Sequence, residues 1–158
     1  MNKIILIGLS LLSFASQALN QDPVNVKAYT VVIDEPKGLS IWTGDARVVQ
    51  GSLTLSADKI QIFNVKHRIT KAIASGSKNK PAYYKHNQPK QSHFVEATAL
   101  KITYFADKQF VRLQGDAHLT QGFDSFSGGV LNYDIKNDKI IASKSKNDTQ
   151  RVKFKIKL

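Results

Sequence analysis

Two stretches of this chain are versions of one another, and any fold must place them equivalently. Residues 44–63 read GDARVVQGSLTLSADKIQIF and residues 115–134 read GDAHLTQGFDSFSGGVLNYD. They align without a gap. Gly44, Asp45, Ala46, Gln50 and Gly51 meet Gly115, Asp116, Ala117, Gln121 and Gly122. Val48 meets Leu119, Leu55 meets Phe126, Ile60 meets Leu131 and Ile62 meets Tyr133. Both copies alternate apolar and polar residues between turn signals, the pattern of half-buried β-strands. A repeat of this kind is a supersecondary unit stacked on itself. The copies lie further apart than a usual solenoid period, so each is expected to hold two or more windings. A shorter echo sets Ile102, Tyr104 and Val111 against Leu131, Tyr133 and Ile140. By that echo, strand–turn–strand recurs about every thirty residues.

The rest of the chain reads the same way. Short strands are predicted at 24–26, 30–33, 39–43, 46–50, 52–56, around Ile60 and Ile62, and at 69–74, 81–84, 100–104 and 110–113. Gly44-Asp45 reads as a tight hairpin turn, because Gly reaches positive φ without steric cost. Gly51 bends the chain, residues 76–81 form a loop, and residues 85–91 form a polar loop. The last strand, 151–158, has the cleanest alternation. Val152, Phe154, Ile156 and Leu158 face one way, buried or lipid-facing, and Arg151, Lys153, Lys155 and Lys157 face water. No long run keeps a 3.6-residue period with caps. The fold class is therefore all-β: a sandwich, roll or barrel of short strands.

The first residues are of another kind. Asn2-Lys3 is a positive start, residues 4–14 are almost wholly apolar, and Ser16-Gln17-Ala18 fits a small-x-small cleavage site. Residues 1–18 are expected to be a secretory signal peptide cleaved near Ala18, leaving a single domain over 19–158. The run is short for a membrane span. The chain has no cysteine, which excludes disulfide staples, thiol catalysis and thiolate metal sites.

The net charge is +11. Between Lys59 and Glu96 there is no acidic residue, but there are seven basic ones, among them Lys66, Arg68, Lys71 and Lys85. Such a surface attracts anions: an anionic membrane or a phosphorylated lipid, with nucleic acid excluded by export. Solubility and edge protection account for many of these lysines.

GDARVVQGSLTLSADKI, SGSKNKPAYY, VEATALKITYF, FVRLQGDAHLTQG and GGVLNYD, in that order, resemble the LptA/OstA-like family of periplasmic lipopolysaccharide-transport proteins. The resemblance covers residues 23–145. It implies a twisted, semi-open antiparallel β-jellyroll whose apolar groove holds lipopolysaccharide acyl chains, without catalysis and without a cofactor or metal. It implies end-to-end strand addition, both with further copies and with inner-membrane LptC-like and outer-membrane LptD-like proteins. Strand parity together with the resemblance puts Val24, Val26, Trp42, Val48, Leu55, Ile62 and Tyr84 in the groove. Ile102, Tyr104, Leu113, Leu119, Phe126, Leu131 and Tyr133 complete it. Each fits an ordinary core equally well, since one parity serves both purposes. Lys66, Arg68, Lys71 and Lys85 are candidates for phosphate or acidic-sugar contacts.

Three other readings compete. An enzyme would need a cluster, yet His67, His86, His93 and His118 show no metal-ligand spacing. Ser56-Ala57-Asp58-Lys59 and Ser75-Gly76-Ser77-Lys78 match Ser-x-x-Lys, but that motif needs a helix start and strands surround it here. An inner-membrane-anchored LptC-like relative would need a full transmembrane anchor. A generic periplasmic anion-binding scaffold would rest on charge alone.

Overall fold

The computed structural model describes residues 22–87, 93–146 and 151–158. The expected signal peptide and residues 88–91 of the expected polar loop 85–91 lie outside the described residues, while Lys85, His86 and Asn87 are strand and not loop, because they pair Glu96, Val95 and Phe94. Among the described residues twelve strands follow in order: β1 Val24–Lys27, β2 Thr30–Asp34, β3 Leu39–Gln50, β4 Leu53–Val65, β5 Arg68–Ser75 and β6 Ala82–Asn87. Then come β7 Phe94–Ala99, β8 Lys101–Phe105, β9 Phe110–Gln121, β10 Asp124–Asp134, β11 Lys139–Ser143 and β12 Lys153–Lys155. One 3-10 turn, Glu35–Lys37, links β2 to β3.

The duplication governs the topology. β1 pairs the second half of β3, and β2 pairs the first half. In the same way β7 pairs the second half of β9, and β8 pairs the first half. β4 carries β5 and β6 on its two halves, as β10 carries β11 and β12. The chain is thus two copies of one six-strand unit, β1–β6 and β7–β12. The copies join where β5 pairs β8 and β6 pairs β7. The shorter echo is the likeness of the β8–β9 hairpin to the β10–β11 hairpin inside this larger unit.

The four long strands β3, β4, β9 and β10 run through two facing sheets. All the strands hydrogen-bond into one continuous sheet, which the pairings divide into two paths, β2-β3-β4-β5-β8-β9-β10-β11 and β1-β3-β4-β6-β7-β9-β10-β12. The result is an all-β, semi-open antiparallel jellyroll. The bend between sheets lies at the repeated Gly-Asp, which corrects the expected hairpin at Gly44-Asp45. There β3 continues, and its register with β4 jumps between Thr43 and Ala46. Two residues oppose the single Asp58, which is a β-bulge, and bulges bend strands. Gly115 and Asp116 oppose Gly129 in the same manner. Gly44, Asp45, Gly115 and Asp116 all have positive φ, at 87°, 44°, 80° and 43°. The hairpin turn itself falls at Gly51, and its echo at Gly122.

Glycine is required at these corners for a second reason. The N–H of Tyr29, crossing from β1 to β2, donates to the Gly44 carbonyl at 3.1 Å. The N–H of Leu100, crossing from β7 to β8, donates to the Gly115 carbonyl at 2.9 Å. A Cβ on Gly115 would sit 2.8 Å from the Leu100 side chain. Gly115→Ala is therefore expected to destabilise the fold by about 1–3 kcal/mol, from backbone strain at positive φ and the crowded Leu100. Urea denaturation measures it, and an unchanged midpoint would contradict the corner's role.

The C-terminal strand is also corrected. Only Lys153–Lys155 pairs, against Ser125–Ser127 of β10. Phe154 is 70% exposed, and Ile156 and Leu158 are exposed too. Phe154 sits at a sheet edge, so among the described residues nothing covers its apolar side.

Candidate functional site

The apolar residues of both sheets form ladders that cross every strand. In the first sheet one ladder runs Val31, Trp42, Ile60, Ala74, Ile102, Leu113, Leu131, Ala142, each the cross-strand partner of the next. A second runs Ile33, Ser40, Ile62, Ala72, Tyr104, Val111, Tyr133, Ile140. The facing sheet supplies a third: Val26, Val48, Leu55, Tyr84, Ala97, Leu119, Phe126, Phe154. Side chains on a strand alternate faces, so a ladder of direct partners stays on one side of its sheet.

Every expected groove residue except Val24 lies on one of these ladders, and Val24 is on β1 beside Val26. The structure divides the set by access. Leu55, Tyr84, Ile102, Leu113, Leu119, Leu131 and Tyr133 are buried to within 1%, and Val48 is buried as well. These form the packed centre. Phe126 is partly buried toward β12. Toward β1 and β2 a cleft of about 1140 Å³ opens, lined by Val24, Val26, Trp42, Leu53, Ile62 and Tyr104. Ser40, Asn64, Arg68, His86, Asp107 and Gln109 add polar groups to its wall. The Trp42 indole N–H donates to Ser40 Oγ at 2.9 Å, which fixes the ring along the wall.

The four expected basic contacts do not converge. Lys66 and Arg68 stand at the β4–β5 turn, and Arg68 reaches the cleft, with Nη2 at 3.6 Å from Asp107 Oδ1. Lys71 lies over the Phe63 ring at 4.3 Å. Lys85, on the other sheet, is held by Glu96 at 3.0 Å and stacks on Phe94 at 4.3 Å. At the corner, Lys80 Nζ meets Asp45 Oδ1 at 2.8 Å. This hydrogen-bonded ion pair lowers the Asp45 pKa and raises that of Lys80. It fastens the 76–81 loop to the bulge.

The expected groove set leaves out the ladder ends Val31, Ile33, Ile140 and Ala142, and also Phe154, which the alternation of the last strand sets on a buried or lipid-facing side. The strand register sets Phe154 in the second copy where Tyr84 stands in the first, whereas the gap-free repeat sets it against Tyr83. Sequence reasoning also missed His86 and Leu53, although each lies two residues from an expected groove residue, Tyr84 and Leu55, and so shares its face. Ser56 and Ser75 lie on strands β4 and β5, not at helix starts. Among the described residues no cluster of three His, Asp or Glu could hold a metal ion, and no helix is long and apolar enough to cross a membrane.

Comparison with known proteins agrees with this architecture. The lipopolysaccharide export system protein LptH of Pseudomonas aeruginosa is 26% identical over 146 residues, covering 89% of this chain and 82% of that protein. LptA of Escherichia coli K12 is 27% identical over 141 residues, covering 89% and 75%. The crystal structure of the Pseudomonas aeruginosa LptH, described as the LptA-homologous periplasmic component of the lipopolysaccharide transport device, superposes with a TM-score of 0.78. That match is 25% identical and covers 87% of this chain and 96% of that one. The family model described as LptA/(LptD N-terminal domain) LPS transport protein matches residues 25–139. That span is well over half of the chain and holds both Gly-Asp corners: this chain belongs to the LptA/LptD N-terminal domain family of lipopolysaccharide transport proteins.

Proposed function

We propose that the chain is a non-catalytic periplasmic carrier of lipopolysaccharide, shielding the acyl chains between its two sheets on the way to the outer membrane. The observation that carries this is the cleft over Val26, Trp42, Ile62 and Tyr104, whose lining residues continue into three largely apolar ladders broken only at Ser40. Each acyl CH₂ removed from water contributes about 0.8 kcal/mol. The packed centre must yield for a long chain to pass, and the two edges of the jellyroll leave it room to open. The N-terminal 18 residues act as the export signal, with cleavage near Ala18.

Purified protein should retain lipopolysaccharide at about 1 M salt, where the Debye length is about 3 Å and surface charges are screened. Retention that collapses as salt rises would instead favour a charge-driven anion-binding scaffold.

The same duplication supports end-to-end assembly. Inside the chain, the trailing edge of copy one, β5 and β6, pairs with the leading edge of copy two, β8 and β7. The trailing edge of copy two, β11 and β12, and the leading edge of copy one, β2 and β1, have no such partner among the described residues. A second chain, or an LptC-like or LptD-like jellyroll, can repeat the internal junction there. The leading edge exposes Val31 and Ile33 at 45% and 60%. Lys153 and Lys155 on β12 limit indiscriminate pairing.

A further inference from the structure

We propose that Tyr84 and His86 form a recognition point for a hydroxyl group carried on an acyl chain, at the inner end of the cleft. The inference rests on the lipid-carrier reading and adds a chemical selectivity to it. Tyr84 and His86 lie two apart on β6, so they share a face. Their rings are 6.4 Å apart, and Tyr84 lies 6.5 Å from Tyr104. His86 and Tyr104 both line the cleft.

Tyr84 Oη and His86 Nδ1 are buried and have no hydrogen-bond partner among the described residues. Buried polar atoms are normally paired, and an unpaired one is a cost that a ligand can relieve. The neighbouring groups follow the rule: Tyr133 Oη donates to Asp138 at 3.2 Å, and the Trp42 indole has Ser40.

The surroundings select the ligand's chemistry. Burial pushes the Tyr84 pKa far up and that of His86 down. Both groups are therefore neutral near pH 7, which suits an uncharged polar group and not a phosphate. A hydroxyl both donates and accepts. It can accept from the phenol, and it can match the imidazole nitrogen in either tautomer. A carbonyl oxygen can only accept.

The test compares the full chain's binding of 3-hydroxytetradecanoic acid and tetradecanoic acid, in the wild type and in Tyr84→Phe. The wild type should prefer the hydroxylated chain by roughly fivefold to tenfold, the span of one well-made hydrogen bond. Tyr84→Phe should lose most of that preference while its melting temperature stays level or rises, because the unpaired atom is gone. His86→Leu gives an independent reading at the second atom and should also lower the preference. Equal wild-type affinity for the two acids, or preference kept in both variants, overturns the inference and leaves the carrier reading standing. A lower melting temperature in Tyr84→Phe also overturns it, since the hydroxyl would then already be partnered. A wild type that binds neither acid nor lipopolysaccharide overturns both readings.

Discussion

Val26→Asp is expected to lower lipopolysaccharide retention by more than about tenfold, while Lys27→Asp leaves it nearly unchanged. A tenfold loss needs only about 1.4 kcal/mol, and a carboxylate forced against acyl chains loses more hydration than that. The two positions are neighbours on β1 and face opposite ways. Val26 is half-buried on the third ladder and lines the cleft, whereas Lys27 is exposed. β1 is an edge strand, so the new carboxylate can turn toward water in the unliganded protein and the fold survives. Circular dichroism checks the fold, and co-purification of lipopolysaccharide at high salt reads the effect. Equal loss in both variants would mean that charge, not the apolar wall, governs binding.

The second large effect concerns assembly. The internal junction pairs Ala74 with Ile102. The duplication maps Ala74 onto Ala142 and Ile102 onto Val31, since they pair equivalent residues of β4 and β10, and of β3 and β9. A chain carrying both Val31→Cys and Ala142→Cys should therefore form intermolecular disulfides under oxidation, giving a ladder of dimers and higher species. Directly opposed antiparallel residues have Cα atoms about 4.5–5.5 Å apart, within disulfide reach. The chain has no native cysteine to confuse the result. Val31→Cys with Ile141→Cys shifts the register by one residue and puts the thiols on opposite faces, so it should cross-link far less. Non-reducing gels decide. Monomer from the first pair, or equal ladders from both, would contradict the junction.

What the sequence made legible was alternation and duplication. Residues 44–63 and 115–134 gave the strands, and thirteen of the fourteen expected groove residues lie on ladders that the register joins. The failures have a common cause. Gly44-Asp45 carries the letters of a turn, but positive φ serves a bulge as well as a hairpin, and local sequence does not separate the two. In residues 151–158 the alternation is clear, yet a strand pairs only where a neighbour offers an edge, and β10 offers three residues. The division between packed centre and open cleft was not legible. Leu55 and Val26 share a ladder and a parity, but Leu55 is on β4, flanked on both sides, and Val26 is on the edge strand β1.

The most direct measurement is photocrosslinking in cells, with a photoreactive residue at Tyr104, at Val26 or at outward-facing Lys101. The account predicts lipopolysaccharide adducts at Tyr104 and Val26 and none at Lys101. Adducts at Lys101 with none at the two inner positions would place the lipid outside the sheets and contradict it.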